Sequence, residues 1–269
     1  MSTQLKSEAD RAFVSLQHIH KTFLPDSVSE VVLFTDFSLT VEKGRFVSII
    51  GSNGSGKTTI LNLICGSIPA DSGSIGINGR VVDKMKEYER SRFIGRVFQD
   101  PSKGTCPQLT ILENMALADN KGGGFGLERG VSKKRLDTYR TQLELLRLGL
   151  EDKLGLQVGS LSGGQRQALA LLICTMTPLD LLILDEHTAA LDPRSSENVM
   201  ELTERIVREK KLTTLMVTHN LKFAAQYGDR LIMMHRGSVV VDAAGAAKSA
   251  LHIRDLTDKF NEISIEDGN

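Results

Sequence analysis

One octapeptide, Gly51-Ser52-Asn53-Gly54-Ser55-Gly56-Lys57-Thr58, restricts this 269-residue chain more than any other feature. It lies between an apolar run at 46–50 and a helix-like stretch over 59–64 that opens on Thr59. Glycines at 51, 54 and 56 let the backbone curl so that successive N–H groups face inward, with no Cβ to block close approach of a phosphate. Lys57 then places a cation between β- and γ-phosphates, and Thr58 offers a hydroxyl to Mg²⁺. The following helix aims the positive end of its dipole at the same anion. A nucleoside triphosphate is the expected ligand, with Ser52, Asn53, Ser55 and Thr59 completing the candidate contacts. A bland Gly/Ser turn between strand and helix is the alternative, and it leaves the Gly-Lys-Thr ending without a reason.

Composition narrows the class of partner. Lys+Arg and Asp+Glu are equal at 33 each, so no global field favours nucleic acid or an anionic membrane. Cys65, Cys106 and Cys174 are odd in number and widely spaced, which fits core thiols in a reducing compartment. The polar opening MSTQLKSEADR has no apolar signal region, so secretion is not expected. The most apolar stretch, 168–184, is broken by Thr175, Thr177, Pro178 and Asp180 into a helix and a buried strand rather than a membrane span.

In chain order, 13–17 and 31–41 predict strands, with Lys21-Thr22-Phe23 in the connection between them. An aromatic there can stack on a nucleobase; a core phenylalanine is equally compatible. The stretch 71–81 predicts short antiparallel strands around an Asn78-Gly79 hairpin turn. A short strand at 94–98 ends at Gln99, and helical periodicity over 109–118 and 133–150 predicts a helical insertion. The glycine cluster at 121–126 reads as a hinge or loop without chemistry, since it lacks a following Lys-Ser/Thr.

The remaining candidates cluster after residue 160. Leu161-Ser162-Gly163-Gly164-Gln165 precedes a helix predicted over 166–176, so Ser162 and two glycines sit at a helix start: a second anion site, or only an N-cap with an entering turn. Leu181-Leu182-Ile183-Leu184 reads as a buried strand ending in Asp185 and Glu186. The first carboxylate can hold Mg²⁺ through water and the second can polarise an attacking water. Asp192-Pro193 turns into an amphipathic helix over 197–208, and a strand at 213–217 leads to Thr218-His219. Alone, His219 is more often an ordinary polar residue at a strand end than a catalytic contact. A hairpin is predicted around Arg236-Gly237, then a final amphipathic helix over 251–263 with Leu256 and Phe260 inward, and a frayed acidic tail.

Taken together, these motifs in this order resemble the ATP-binding cassette (ABC) ATPases, the nucleotide-binding subunits of ABC transporters, along nearly the whole chain. By that resemblance the octapeptide is the Walker A loop, Gln99 the Q-loop glutamine, and 161–165 the signature motif. Asp185 and Glu186 are the Walker B pair, Asp192 the D-loop aspartate, His219 the switch histidine and Phe23 the adenine-stacking aromatic. Thr58, Gln99 and Asp185 would hold Mg²⁺; Glu186, His219 and Gln99 would serve catalysis; Ser162, Gly163, Gly164, Gln165 and Asp192 would complete the ATP contacts. One departure is visible: His187 stands where many family members have proline, which alters loop rigidity rather than chemistry.

The implied fold is α/β, a P-loop NTPase (RecA-like) core with an antiparallel β subdomain and an inserted helical subdomain at 101–164, all within one ABC ATPase domain over 1–269. The resemblance implies ATP hydrolysis on the cytoplasmic face of a membrane. The expected partners are a second copy of the chain in an ATP-sandwich homodimer, transmembrane permease subunits and, through them, an extracytoplasmic substrate-binding protein. The wording at 113–118, 186–192 and 216–220 is similar to a branch that takes up amino-acid-type solutes, aromatic ones among them. A soluble cassette ATPase acting on nucleic acid or ribosomes is the alternative class. Such relatives carry long coiled coils, a tandem second cassette or basic arms, none of which is written here, so no nucleic-acid partner is expected.

Overall fold

The computed structural model describes residues 12–121 and 130–266. The chain opens with β1 (Ala12–Phe23) and β2 (Val31–Glu42), followed by β3 (Phe46–Gly51) and α1 (Lys57–Cys65). Next come β4 (Ser72–Ile77), β5 (Arg80–Val81), the short α2 (Glu87–Arg90) and β6 (Ile94–Val97). Three helices then precede the next strand: α3 (Ile111–Asp119), α4 (Leu136–Glu144) and α5 (Gly163–Cys174). The chain continues with β7 (Leu181–Asp185), α6 (Pro193–Lys210), β8 (Thr213–Val217), α7 (Leu221–Gln226), β9 (Arg230–His235) and β10 (Ser238–Ala244). It closes with α8 (Ala246–Ser249) and α9 (Ile253–Glu266).

Two sheets result. A four-stranded antiparallel sheet has the order β2-β1-β4-β5, and a six-stranded sheet the order β10-β9-β3-β8-β7-β6. In the larger sheet β9, β3, β8, β7 and β6 run parallel, and only β10 is antiparallel. Parallel strands are covered on both faces, which is why β3, β7 and β8 are near-continuous apolar runs. Alternate side chains feed opposite cores: Leu182, Leu184 and Met216 pack with the helices α3 to α6, while Leu181, Ile183, Leu215 and Val217 pack towards the small sheet. Each such fully buried side chain contributes about 1.5–3 kcal/mol. The C-terminal ends of these strands therefore form a rigid rim on which loops can be held.

Several boundaries differ from the sequence expectation for identifiable reasons. Strand β1 continues to Phe23, so Lys21-Thr22-Phe23 lies within the strand and not in a connection. The bulges near His18 (φ 52°) break the period-two pattern, and pairing then resumes with Lys21 opposite Phe34 and an Lys21–Asp71 ion pair at 2.7 Å. Helix α4 stops at Glu144, short of residue 150, because the chain turns at Arg147 (φ 55°) and Gly149 (φ 64°) while Leu146 and Leu150 still reach the core. Helix α5 starts at Gly163, earlier than 166, since Ser162 caps it directly, and it ends at Cys174. Helix α6 starts at Pro193, earlier than 197, under an Asp192 cap. The glycine cluster beyond Lys121 and the tail at 267–269 lie outside the described residues.

Arg90 ties the first helix to its neighbours. The guanidinium is buried and donates to the carbonyls of Leu63 (2.8 Å) and Ile64 (3.0 Å), at the end of α1 where the helix dipole is negative. No helix among the described residues is long and apolar enough to cross a membrane.

Candidate functional site

The octapeptide leaves β3 at the sheet rim and enters α1 through Gly56, a left-handed N-cap (φ 103°) that supplies no side-chain hydrogen bond. The first turn of α1 is thus open to an anion. Two of the glycines are demanded by the protein itself. A Cβ on Gly51 would lie 2.2 Å from the Met234 carbonyl oxygen, and one on Gly56 would lie 2.7 Å from the Phe34 ring. The loop is also held from behind, where the Gly237 N–H donates to the Ser55 carbonyl at 3.1 Å.

Lys57 closes the loop on itself: its buried Nζ donates to the carbonyls of Gly51 and Ser52, both at 2.8 Å. Burial lowers the pKa of this amine, and the Glu186 carboxylate opposes that shift. The Ser55 hydroxyl is buried in the same loop without a hydrogen-bond partner among the described residues.

Asp185 and Glu186 end β7 beside the loop because β3, β8 and β7 run parallel in register: Ile49 pairs with Val217, and Val217 with Asp185. Glu186 takes a left-handed conformation (φ 51°), unusual for a residue with a Cβ. Its N–H donates to the Val217 carbonyl at 2.9 Å, and its Oε1 lies 2.7 Å from His219 Nε2. Strain of this kind, about 1–3 kcal/mol, persists where surrounding structure enforces it. Asp185 accepts from Arg96 at 2.6 Å. Thr58, Gln99, Asp185, Glu186, Gly163 and Arg166 share the lining of one cleft of about 480 Å³.

The residues at 162–165 divide. Ser162 Oγ accepts from the Gln165 N–H (3.3 Å), and Gln165 Oε1 from the Ser162 N–H (3.1 Å), a reciprocal cap on α5. Gly163 faces the cleft, but Ser162, Gly164 and Gln165 line a separate hollow with Ser195 and Asn198. Asp192 is exposed and caps α6 through Ser195; the bonds from Ser195 hold its carboxyl below the usual range. Phe23, half-buried at the end of β1, is outside the cleft lining, with Lys21 Nζ 5.5 Å from its ring. It connects to the loop indirectly: Lys21 pairs across the sheet with Phe34, whose ring abuts Gly56.

His187 explains the departure from proline. Its ring is buried and Nε2 lies 3.1 Å from Thr203 Oγ1, fastening the segment after Glu186 to α6. Burial pushes its pKa down to about 4 from the ordinary 6.5. The unfolded chain takes up a proton near pH 6.5 that the folded chain refuses until about pH 4. Stability conferred by the neutral ring is thus complete above that window and falls by about 3 kcal/mol as pH drops through it. A His187→Gln variant should show a flatter dependence of melting temperature on pH between 7 and 4. Parallel curves for the two proteins would contradict this placement.

Arg96, which donates to Asp185 and Asn62, and Phe34, whose ring abuts Gly56, touch the candidate residues and were not singled out from sequence. The signal for Arg96 was available: a charged residue within the apolar stretch Ile94–Val97 requires a buried partner. Naming that partner requires the strand order.

The chain matches the family model described as ABC transporter over residues 34–189. It is 47% identical to the tyrosine transport ATP-binding protein of Clostridioides difficile (strain R20291), covering 92% of this chain and 98% of that one. Identity to the thiamine import ATP-binding protein of Photobacterium profundum is 32%, over 78% of this chain and 82% of the relative. Among solved structures, a dimeric ATP-binding cassette in a post-hydrolysis state with ADP and phosphate aligns with TM-score 0.72 and 28% identity. That alignment covers 86% of this chain and 98% of the other. With a family model matched over more than half of its length and a relative 47% identical over 92% of it, the chain belongs to the ABC transporter family as an ATP-binding subunit, an ATPase.

Proposed function

We propose that this ATPase drives an importer of amino-acid-like solutes as a homodimer docked from the cytoplasmic side on separate permease subunits. An extracytoplasmic binding protein would deliver the solute. The carrying observation is the convergence of Thr58, Gln99, Asp185 and Glu186 on one cleft beside the loop, with His219 on the Glu186 carboxylate. In this reading residues 51–59 cradle the phosphates, and Lys57 exchanges its two carbonyl partners for phosphate oxygens. Glu186 accepts the proton of the attacking water, with His219 holding its carboxylate in place. Phe23 stacks on adenine.

A hydroxyl, an amide and carboxylates are the hard oxygen donors that suit Mg²⁺. Thr58, Gln99 and Asp185 would hold the ion, and its chemistry there is to neutralise charge on the transferring phosphoryl group. Among the described residues no three His, Cys, Asp or Glu side chains form a cage of their own.

The cargo assignment rests on the 47% identity to a tyrosine transport subunit and on the short stretches named above. It is tested by reconstituting the chain with candidate permease and binding-protein subunits and measuring uptake. ATP-dependent tyrosine uptake supports the reading, and co-purification with nucleic acid or ribosomes in place of membranes contradicts it.

Residues 101–164 would move as the helical subdomain against the core formed by 1–100 and 165–269. A groove of about 520 Å³ between the two, lined in part by Phe98, Lys103, Cys106, Asn114 and Leu117, would receive a permease helix. Glu113, the obvious charge to reverse there, is absent from the lining: its carboxylate accepts from the N–H and hydroxyl of Thr110 to cap α3. Reversing it therefore breaks the capping box of α3 as well as changing the charge. Leu117 is 57% exposed and does line the groove. Leu117→Arg should weaken association with the permease at least tenfold while leaving ATP binding by the isolated subunit unchanged. Cross-links that map to α9 in place of this groove would contradict the docking site.

A further inference from the structure

Arg96 stands in the wall between the two cavities. It lines the larger groove, while its charge partner Asp185 lines the nucleotide cleft. One guanidinium nitrogen donates to Asp185 Oδ2 at 2.6 Å and the other terminal nitrogen to Asn62 Oδ1, on α1, at 2.9 Å. The plane lies over the Phe98 ring, 4.8 Å from its centroid, one residue before Gln99. A single side chain thus touches the phosphate-loop helix, the carboxylate strand and the segment that leads to the glutamine. The pair is largely withdrawn from water, with side-chain exposures of 14% and 16%. The Arg96 Nε is buried with no hydrogen-bond partner among the described residues.

Such a pair has two consequences. Without a metal, a carboxylate this shielded gains from a neutralising, hydrogen-bonding cation, and Arg96 supplies one. With a metal, the same guanidinium competes for the same oxygens and repels the incoming charge.

We propose that Arg96 is a positioning residue that acts as the resident countercation of Asp185, holding this carboxylate in the nucleotide-free protein and yielding it to the divalent cation. The proposal rests on the reading of Asp185 as a metal-holding residue. Because the guanidinium also belongs to the groove wall, a permease helix seated there meets the group that restrains Asp185.

The test measures Mn²⁺ binding by electron paramagnetic resonance, in the presence of a slowly hydrolysed ATP analogue, alongside thermal unfolding of the nucleotide-free protein. Arg96→Met keeps the length of the side chain and removes its charge. It should bind Mn²⁺ about tenfold more tightly, the effect of one charge-assisted hydrogen bond. Its nucleotide-free form should melt about 5 °C lower. Opposite signs in the two readouts are the signature, since a merely structural arginine weakens both. Arg96→Lys, which keeps the charge and the fold, should bind Mn²⁺ with an affinity between those of the other two proteins. Unchanged or weaker Mn²⁺ binding in Arg96→Met, or in Arg96→Lys alone should the first variant not fold, overturns the proposal. Asp185→Asn separates the two ideas. If that variant loses Mn²⁺ affinity while Arg96→Met does not gain it, only the countercation role fails; if Asp185→Asn binds Mn²⁺ normally, the metal assignment itself fails.

Discussion

Glu186→Gln is expected to bind ATP with the affinity of the unmodified protein and to hydrolyse it about 10²- to 10⁴-fold more slowly, the range for losing a general base. The amide has the same shape, so it can keep the left-handed backbone, the N–H bond to the Val217 carbonyl and contact with His219. What it cannot do is take the proton of a water attacking the γ-phosphoryl group. Phosphate release and equilibrium nucleotide binding, measured on the same preparation, should therefore separate. Near-normal turnover would move the base elsewhere, with His219, 2.7 Å away, the next residue to change.

Lys57→Ala should fail at the earlier step. Its Nζ bridges two loop carbonyls, and it is the one cation within the octapeptide. Removing it leaves the Gly51 and Ser52 carbonyls without that donor and deprives bound phosphates of charge-assisted hydrogen bonds. ATP affinity is expected to drop by about 10²-fold or more. Unchanged affinity would count against the loop as the phosphate site.

Local signals carried a large part of this account, and their limits are physical. The Asn78-Gly79 turn (φ 50° and 73°), the apolar strand before Asp185 and the cap at Ser162 depend on residues close in sequence, so their patterns are visible there. Arg96 and Asp185 are 89 positions apart and meet only because β6 lies beside β7, a fact of sheet order that no window of sequence contains. The turn at Arg147 and the strained Glu186 use positive φ at residues whose type does not announce it. Phe34 was legible as part of a strand, yet its contact with Gly56 depends on how the small sheet leans on the loop.

The placement of the signature residues makes the mechanism a question about two chains. Ser162, Gly164 and Gln165 line a hollow apart from the cleft that Thr58, Asp185 and Glu186 share. In a twofold head-to-tail pair, the capped start of α5 in one chain would close on the γ-phosphate held by the other, so that ATP becomes part of the interface and its binding drives closure. The most direct test mixes Lys57→Ala with Ser162→Arg, each in a Glu186→Gln background that retains bound ATP, and measures ATP occluded in dimers. In the mixed dimer one composite site carries both lesions and the other carries neither. The account predicts occluded ATP well above the sum of the two separate variants. No gain over that sum, with the Glu186→Gln protein still monomeric at saturating ATP, would contradict it.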